Sequence, residues 1–152
     1  MTEATALKKI LVVCTGNTCR SPMAEALLKQ ELSKKGFAGR VEITSCGTGT
    51  RDGAPASSES VFVMRNREID ISAHRSRRMK PEFLKDATLI IAMNQSHEVT
   101  LLEKYPEVKS KLLTFQISDP IGMNIRTYEE TLQSIQAQIT KEWPEILKRL
   151  GV

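Results

Sequence analysis

Residues 9–22 read KILVVCTGNTCRSP, and this stretch decides the fold. Its first five residues include four apolar ones, three of them β-branched, as in a strand buried at the centre of a sheet. Small and polar residues follow as a short loop. Pro22 suits the start of a helix because the first helical residues need no intrahelical N–H partner. The sequence therefore predicts a strand, a tight loop and a helix in direct succession.

The loop between that strand and helix has the residue types of an anion site. Backbone N–H groups of such a loop point at a bound anion, and the helix dipole adds positive partial charge. Gly16 and Asn17 tolerate the backbone angles of a tight loop. Cys14 would lie beneath a bound phosphorus atom, and Arg20 could return to hold two phosphate oxygens. The predicted phosphate-binding residues are Thr15, Gly16, Asn17, Thr18, Cys19, Arg20 and Ser21.

The same surroundings favour the charged form of the Cys14 thiol. Inward N–H groups, the helix dipole, the Arg20 guanidinium and the Ser21 hydroxyl all stabilise a thiolate, and cysteine pKa values fall in such settings. We expect Cys14 to be ionised at neutral pH and to act as a nucleophile.

Short apolar runs alternate with longer amphipathic stretches along the rest of the chain, as in a parallel sheet covered by helices. The predicted strands are residues 9–13, 41–46, 88–93 and 112–115, and the predicted helices are 22–35, 57–67, 95–104 and 128–150. Pro144 should kink or split the last helix. We expect an α/β fold of three layers, with a four-stranded parallel sheet flanked by helices on both faces and the phosphate-binding loop after the first strand.

The composition limits the class of protein. The chain has 152 residues and a net charge of +4, and 40% of its residues are hydrophobic, so it fits one globular domain over 1–152. Nothing near the N-terminus resembles a signal peptide or a membrane span, and three cysteines are an odd number, so we expect a cytoplasmic protein. The basic group at residues 75–80 has no interleaved aromatic residues, so we expect a solvated loop and no nucleic-acid partner.

Residues 13–25, which read VCTGNTCRSPMAE, resemble the low molecular weight protein tyrosine phosphatase family. The resemblance implies hydrolysis of phosphorylated protein side chains through a cysteinyl-phosphate intermediate. The family carries its proton donor in an Asp-Pro pair, which corresponds to Asp119-Pro120 here. By itself, this pair could equally begin a turn. The candidate catalytic residues are Cys14, Arg20 and Asp119.

The resemblance also implies supporting roles near the loop. Asn17 should brace the loop through its side chain, with Ser21 beside it, and His74 lies where the family has a histidine that meets that asparagine. Without the family, a lone histidine is as often a structural residue. Cys19 could form a reversible disulfide with Cys14 or could simply pack.

Other functions that these residues could indicate have less support in the sequence than a phosphatase. Cys14, Cys19, Cys46 and His74 have poor spacing for zinc, and Arg20 would repel a cation, so we expect no metal and no cofactor. An arsenate reductase of this fold would need cysteines far downstream, and none follows Cys46. A phosphoprotein-binding module without turnover remains an alternative.

Two features bear on the substrate. Thr18 precedes Cys19, as in the bacterial protein arginine phosphatases that this stretch resembles, whereas tyrosine-directed members usually carry a bulkier aliphatic residue there. Residues 47–54 and 121–122 contain no aromatic ring to hold a phenol. We therefore favour phosphoarginine, with phosphotyrosine as the alternative, and expect a monomer whose partners are phosphorylated proteins.

Overall fold

The apolar run that precedes Cys14 forms β1 (Lys8–Cys14), which is the second strand of a four-stranded parallel sheet in a computed structural model describing residues 7–152. The other strands are β2 (Val41–Gly47), β3 (Leu89–Ala92) and β4 (Leu112–Thr114). The strand order is β2-β1-β3-β4. Each predicted strand is present, within two residues of its predicted ends.

The register aligns the carboxyl ends of the three strands nearest the loop. Val13 pairs with Cys46 of β2 on one side and with Ala92 of β3 on the other. Because the strands are parallel, the segments that follow β1, β2 and β3 all leave the same edge of the sheet. This edge is where a ligand site is expected in an open α/β sheet.

Residues 7–152 also form five α-helices and one short 3₁₀ helix. The α-helices are α1 (Arg20–Lys34), α2 (Ser58–Arg65), α3 (Pro81–Asp86), α4 (Gln95–Lys104) and α5 (Ile125–Leu150), and the 3₁₀ helix is Pro106–Lys111. Alternate side chains of β1 enter two separate apolar cores. Ile10 and Val12 belong to a core shared with α1, α2 and α5, whereas Leu11 and Val13 belong to one shared with α3 and α4. The predicted three-layer α/β architecture is confirmed.

Apart from shifts of one to three residues at the ends of α2 and α5, the helices differ from the prediction in three places. First, α1 begins at Arg20, two residues before Pro22, so Arg20 and Ser21 lie in its first turn. Second, α3 and the 3₁₀ helix were not predicted, since each has only six residues and too few apolar positions to show a period. Third, α5 is one helix through Pro144 and is not split. Buried residues on both sides of Pro144, including Ile139 and Ile146, pack in one core, and this packing outweighs the missing N–H.

No helix among residues 7–152 is both long and apolar enough to span a bilayer.

Candidate active site

Cys14 ends β1 and lies at the floor of the loop. Its sulfur is 2.9 Å from Ser21 Oγ, and the backbone N–H of Asn17 donates to the sulfur at 3.2 Å. The Cys14 residue is buried. The loop thus brings a hydroxyl and a backbone N–H onto one thiol, as the sequence led us to expect.

Asn17 braces this loop from the inside. It is fully buried and has a left-handed backbone with φ of 56°. Its Nδ2 donates to Ser21 Oγ at 2.7 Å and to Ser45 Oγ at 2.9 Å, and its Oδ1 accepts from the Arg77 N–H at 2.8 Å. Every polar atom of the side chain therefore has a partner, which fixes the residue that gives the loop its curvature.

A second layer of contacts holds Asn17 and its partners. His74 Nε2 is 2.7 Å from the Asn17 backbone oxygen, so the histidine does meet this asparagine, through the main chain. Ser45 Oγ donates to Glu25 Oε1 at 2.7 Å. Ser45 and Glu25 were not predicted; Ser45 could have been noticed as a polar residue next to the carboxyl end of a buried strand.

Arg20 is buried and its guanidinium is held in place by the segment after β4. Arg20 Nη1 donates to the Ile117 carbonyl at 2.9 Å, and Arg20 Nη2 is 3.5 Å from Asp119 Oδ2. The Asp119 side chain is 43% exposed, and its Oδ1 accepts the N–H of Ile121 at 3.1 Å. The structure therefore brings the predicted arginine and the predicted acid together at one side of the loop.

The electrostatic surroundings of Cys14 differ from the expectation. Burial is the largest influence and raises the pKa of the Cys14 thiol, whereas the Ser21 hydroxyl, the Asn17 N–H and the Arg20 charge lower it. The net direction is upward, because a thiolate buried here loses more hydration than these partners replace. These three partners alone therefore do not produce the lowering of the pKa that the sequence led us to expect.

The segment after β2 presses closely against the loop. The Thr48 N–H donates to the Cys14 carbonyl at 2.9 Å, and the Gly49 N–H donates to the Thr15 carbonyl at 3.0 Å. A Cβ atom on Gly47 would lie only 2.4 Å from the Thr15 oxygen. Only glycine therefore allows this approach.

The other end of the loop contacts α2 and α5. The Thr18 carbonyl accepts the Ser57 N–H at 2.9 Å, and the Thr18 side chain is half-buried. Cys19 Sγ is 3.4 Å from Tyr128 Oη and 3.6 Å from Ser57 Oγ. All three cysteines are free thiols. Tyr128 was not predicted as a partner, because only the tertiary structure brings α5 to this loop.

The basic group at residues 75–80 has a structural use that the sequence did not reveal. Arg77 Nε donates to the Ser45 carbonyl at 3.0 Å, and its guanidinium lies 4.0 Å from the centre of the Phe83 ring. Arg78 pairs with Asp52 at 3.7 Å. These contacts connect the segment that precedes α3 to β2, to the segment after β2 and to α3 itself.

His97 is a further residue beside the loop that sequence reasoning missed. It lies in the first turn of α4, and its Nε2 is 2.8 Å from Thr15 Oγ1. Burial and, to a smaller extent, the Arg20 charge lower the pKa of His97 to about 4, while the Asp119 carboxylate acts in the opposite direction. Its position shortly after β3, at the carboxyl edge of the sheet, was the sequence feature from which it could have been predicted.

Comparisons with known proteins agree with this geometry. The family model described as low molecular weight phosphotyrosine protein phosphatase matches residues 9–150. A protein-arginine-phosphatase of Geobacillus stearothermophilus is 37% identical over 88% of this chain and 92% of its own length. A probable low molecular weight protein-tyrosine-phosphatase, EpsP, of Ralstonia nicotianae is 34% identical over 95% of this chain and 99% of its own length.

Solved structures lead to the same class. The crystal structure of a low molecular weight protein tyrosine phosphatase from T. tengcongensis aligns with a TM-score of 0.84 at 37% identity, covering 91% of this chain and 99% of that one. The fold and the loop thus define a phosphoprotein phosphatase of the low molecular weight type. The chain belongs to the low molecular weight phosphotyrosine protein phosphatase family, whose members act on phosphorylated proteins.

Removing the Ser21 hydroxyl should make the Cys14 thiol harder to ionise. In Ser21→Ala the thiolate loses a donor that lowers its pKa, so the midpoint of iodoacetamide labelling should move to higher pH. Labelling at pH 7 should slow about tenfold, as for the loss of one hydrogen bond to a charged group. Ser134→Ala, an exposed change on α5, is the control. If the pH midpoint of labelling in Ser21→Ala equals that of the parent protein, the Ser21 hydroxyl does not stabilise the thiolate.

A methyl group at Gly47 should displace the loop. Because the new Cβ would lie 2.4 Å from the Thr15 oxygen, Gly47→Ala should lower kcat/KM for an aryl phosphate by roughly 10- to 100-fold. Gly49→Ala is the matched control, since its Cβ would meet the Thr15 methyl at an ordinary 3.6 Å. Equal activity of the two variants would show that the close approach does not matter.

Proposed function

We propose that this phosphatase removes phosphate from arginine side chains of proteins through a cysteinyl-phosphate intermediate. Cys14 acts as the nucleophile, Arg20 holds the phosphoryl oxygens and Asp119 is the proton donor. The observation that carries the proposal is the convergence of these three side chains at one loop, with Arg20 in contact with Asp119 at 3.5 Å.

In the first step the Cys14 sulfur attacks phosphorus as a thiolate, having lost its proton to water. The S–P bond forms while the bond from phosphorus to the leaving nitrogen breaks, and Asp119 gives its proton to that nitrogen. Loop N–H groups and the Arg20 guanidinium stabilise the charge on the equatorial oxygens. The Ser21 hydroxyl, 2.9 Å from the sulfur, stabilises the thiolate before attack.

In the second step water attacks the cysteinyl phosphate. Asp119, now a carboxylate, takes a proton from that water as the O–P bond forms and the S–P bond breaks. The products are inorganic phosphate and the Cys14 thiolate. Asp119 suits both steps because its side chain is partly exposed and its Oδ1 is held by the Ile121 N–H.

The preference for arginine is supported by the walls of the site. Thr18 contributes a small side chain with a hydroxyl, which leaves room for a slim polar substrate and offers it a hydrogen bond. The guanidinium released from phosphoarginine is cationic, and the Asp119 carboxylate suits it electrostatically. The relative from Geobacillus stearothermophilus is named a protein-arginine-phosphatase.

Phosphotyrosine is the second candidate, and a specific feature favours it. Ile121 is 64% exposed and Met123 is 54% exposed, on the same loop as Asp119. Exposed aliphatic side chains there could pack against a phenol ring. The relative from Ralstonia nicotianae is named a probable protein-tyrosine-phosphatase.

The remaining proposals concern the protein's setting. We propose one catalytic domain over 1–152, working as a monomer in the cytoplasm on phosphorylated proteins, without nucleic acid, metal or cofactor. Cys19 is the candidate for a reversible disulfide with Cys14, which would protect the nucleophile from over-oxidation.

The covalent mechanism makes separate predictions for the nucleophile and the acid. Cys14→Ser should abolish release of phosphate from an aryl phosphate. Asp119→Asn should lower kcat/KM by roughly 10²- to 10⁴-fold for phenyl phosphate, a poor leaving group, and much less for para-nitrophenyl phosphate. Activity retained in Cys14→Ser would refute the mechanism, and equal losses on the two aryl phosphates would remove Asp119 as the acid.

The substrate preference is tested with matched peptides that carry phosphoarginine or phosphotyrosine. The parent enzyme should give the larger kcat/KM on phosphoarginine, and Thr18→Ile should reverse the order, because the added carbons narrow the site and remove the hydroxyl. Thr50→Val, at a half-buried threonine on the segment after β2, is the control for a threonine change outside the loop. A parent enzyme that prefers phosphotyrosine would establish the second candidate.

A further inference from the structure

A buried histidine on α4 contacts the residue that follows Cys14. His97 is 2% exposed, and its Nε2 lies 2.8 Å from Thr15 Oγ1. It is brought there by the sheet, because β3 is the neighbour of β1 and α4 begins three residues after β3 ends. Asn94 caps α4 by accepting the Ser96 N–H at 3.1 Å, which fixes the first turn of the helix.

Thr15 is held from two sides. Its hydroxyl contacts His97, and its methyl group faces Gly49, where a Cβ atom would be 3.6 Å away. Its carbonyl accepts the Gly49 N–H at 3.0 Å. Thr15 is nevertheless exposed. A threonine at the opening of the loop therefore has its rotamer set by a neighbour that is itself buried.

The second ring nitrogen of His97 identifies the tautomer. Nδ1 is buried and has no hydrogen-bond partner among residues 7–152. A buried N–H without an acceptor is rarer in proteins than a buried lone pair without a donor. The proton of the neutral ring therefore lies on Nε2, so His97 donates to Thr15 Oγ1. Since that oxygen accepts from His97, the Thr15 hydroxyl hydrogen remains free to be donated elsewhere.

We propose that His97 is a positioning residue of the phosphatase site: it donates to Thr15 and so directs the Thr15 hydroxyl hydrogen to a phosphoryl oxygen of the substrate. This inference rests on the proposed role of the Cys14 loop as the catalytic centre. It does not depend on whether arginine or tyrosine carries the phosphate.

A neutral donor suits this position better than a charged one. Arg20 and Asp119 are both close enough to affect His97 electrostatically, with opposite signs. A cation at residue 97 would repel the Arg20 guanidinium and compete with it for the Asp119 carboxylate. A neutral imidazole donates a hydrogen bond to Thr15 without disturbing the contact between Arg20 and Asp119.

The test compares variants at both ends of the hydrogen bond, with para-nitrophenyl phosphate as substrate. His97→Leu removes the donor and keeps the volume, and should lower kcat/KM about tenfold. His97→Gln keeps an uncharged N–H donor and should recover to within about threefold of the parent. Thr15→Val should lose as much as His97→Leu, whereas Thr15→Ser should lose little. The double variant His97→Leu, Thr15→Val should be no worse than Thr15→Val alone.

Leu101→Ala is the structural control. Leu101 is a fully buried residue of the same helix and belongs to the apolar core shared with α3 and α4. This change should lower Tm while kcat/KM stays near the parent value, provided that the assay temperature is below Tm. If His97→Leu and Leu101→Ala affect kcat/KM equally, His97 is only structural and the inference fails.

A spectroscopic measurement on the unmodified protein keeps the test independent of how the variants fold. The ¹⁵N shifts of His97 should show a neutral ring protonated at Nε2 between pH 5 and 8. A Nδ1-protonated ring, a charged ring, or additive losses in the double variant would overturn the inference. Cys14→Ser separates the two proposals: if it keeps its activity, the proposed mechanism itself has failed, and if it is inactive while His97→Leu is normal, only this inference has failed.

Discussion

The left-handed backbone of Asn17 is the constraint on which the rest of the site depends. A residue other than glycine with φ of 56° costs conformational energy and persists only where surrounding contacts hold it. Asn17 is held by contacts with Ser21, Ser45, the Arg77 N–H and His74. Because those partners come from α1, β2 and the segment before α3, the loop can curve around a phosphate only when the whole domain is folded. The cost of the strained residue is thus offset by contacts spread over the fold.

The parallel sheet supplies the second requirement, which is the meeting of residues from distant parts of the chain. Arg20 and Asp119 are 99 positions apart, yet the Ile117 carbonyl binds Arg20 directly and Asp119 follows two residues later. The Asn94 side chain also donates to the Ile117 carbonyl, at 3.4 Å, which connects the start of α4 to the same point. One backbone oxygen therefore connects Arg20, the segment that carries Asp119 and the helix that carries His97.

Sequence patterns predicted most of the architecture because its elements are long and regular. The ends of α4 were predicted to the residue, since its cap and its apolar spacing are local features. The six-residue α3 lacks such a pattern. The split predicted at Pro144 did not occur, because the cost of proline inside a helix is a local effect, whereas the packing of Ile139 and Ile146 that outweighs it is not local. The sequence also did not reveal how strongly burial acts on the pKa of Cys14. Loop dipoles can be inferred from neighbours in sequence, but the loss of hydration depends on what covers the thiol.

By itself the sequence predicted the fold class, the loop between β1 and α1, and the roles of Cys14 and Arg20 in it, because those features depend on residue type and short spacing. The role of Asp119 was predicted from the resemblance to the family, since the Asp-Pro pair alone could equally begin a turn. The tertiary structure alone decided how they are held: the Ser45 and Glu25 contacts behind Asn17, the Tyr128 contact with Cys19, the tight approach of Gly47 and the His97 contact with Thr15. Each of these joins residues far apart in the chain. Their proximity follows from strand order and helix packing, which local residue patterns do not encode.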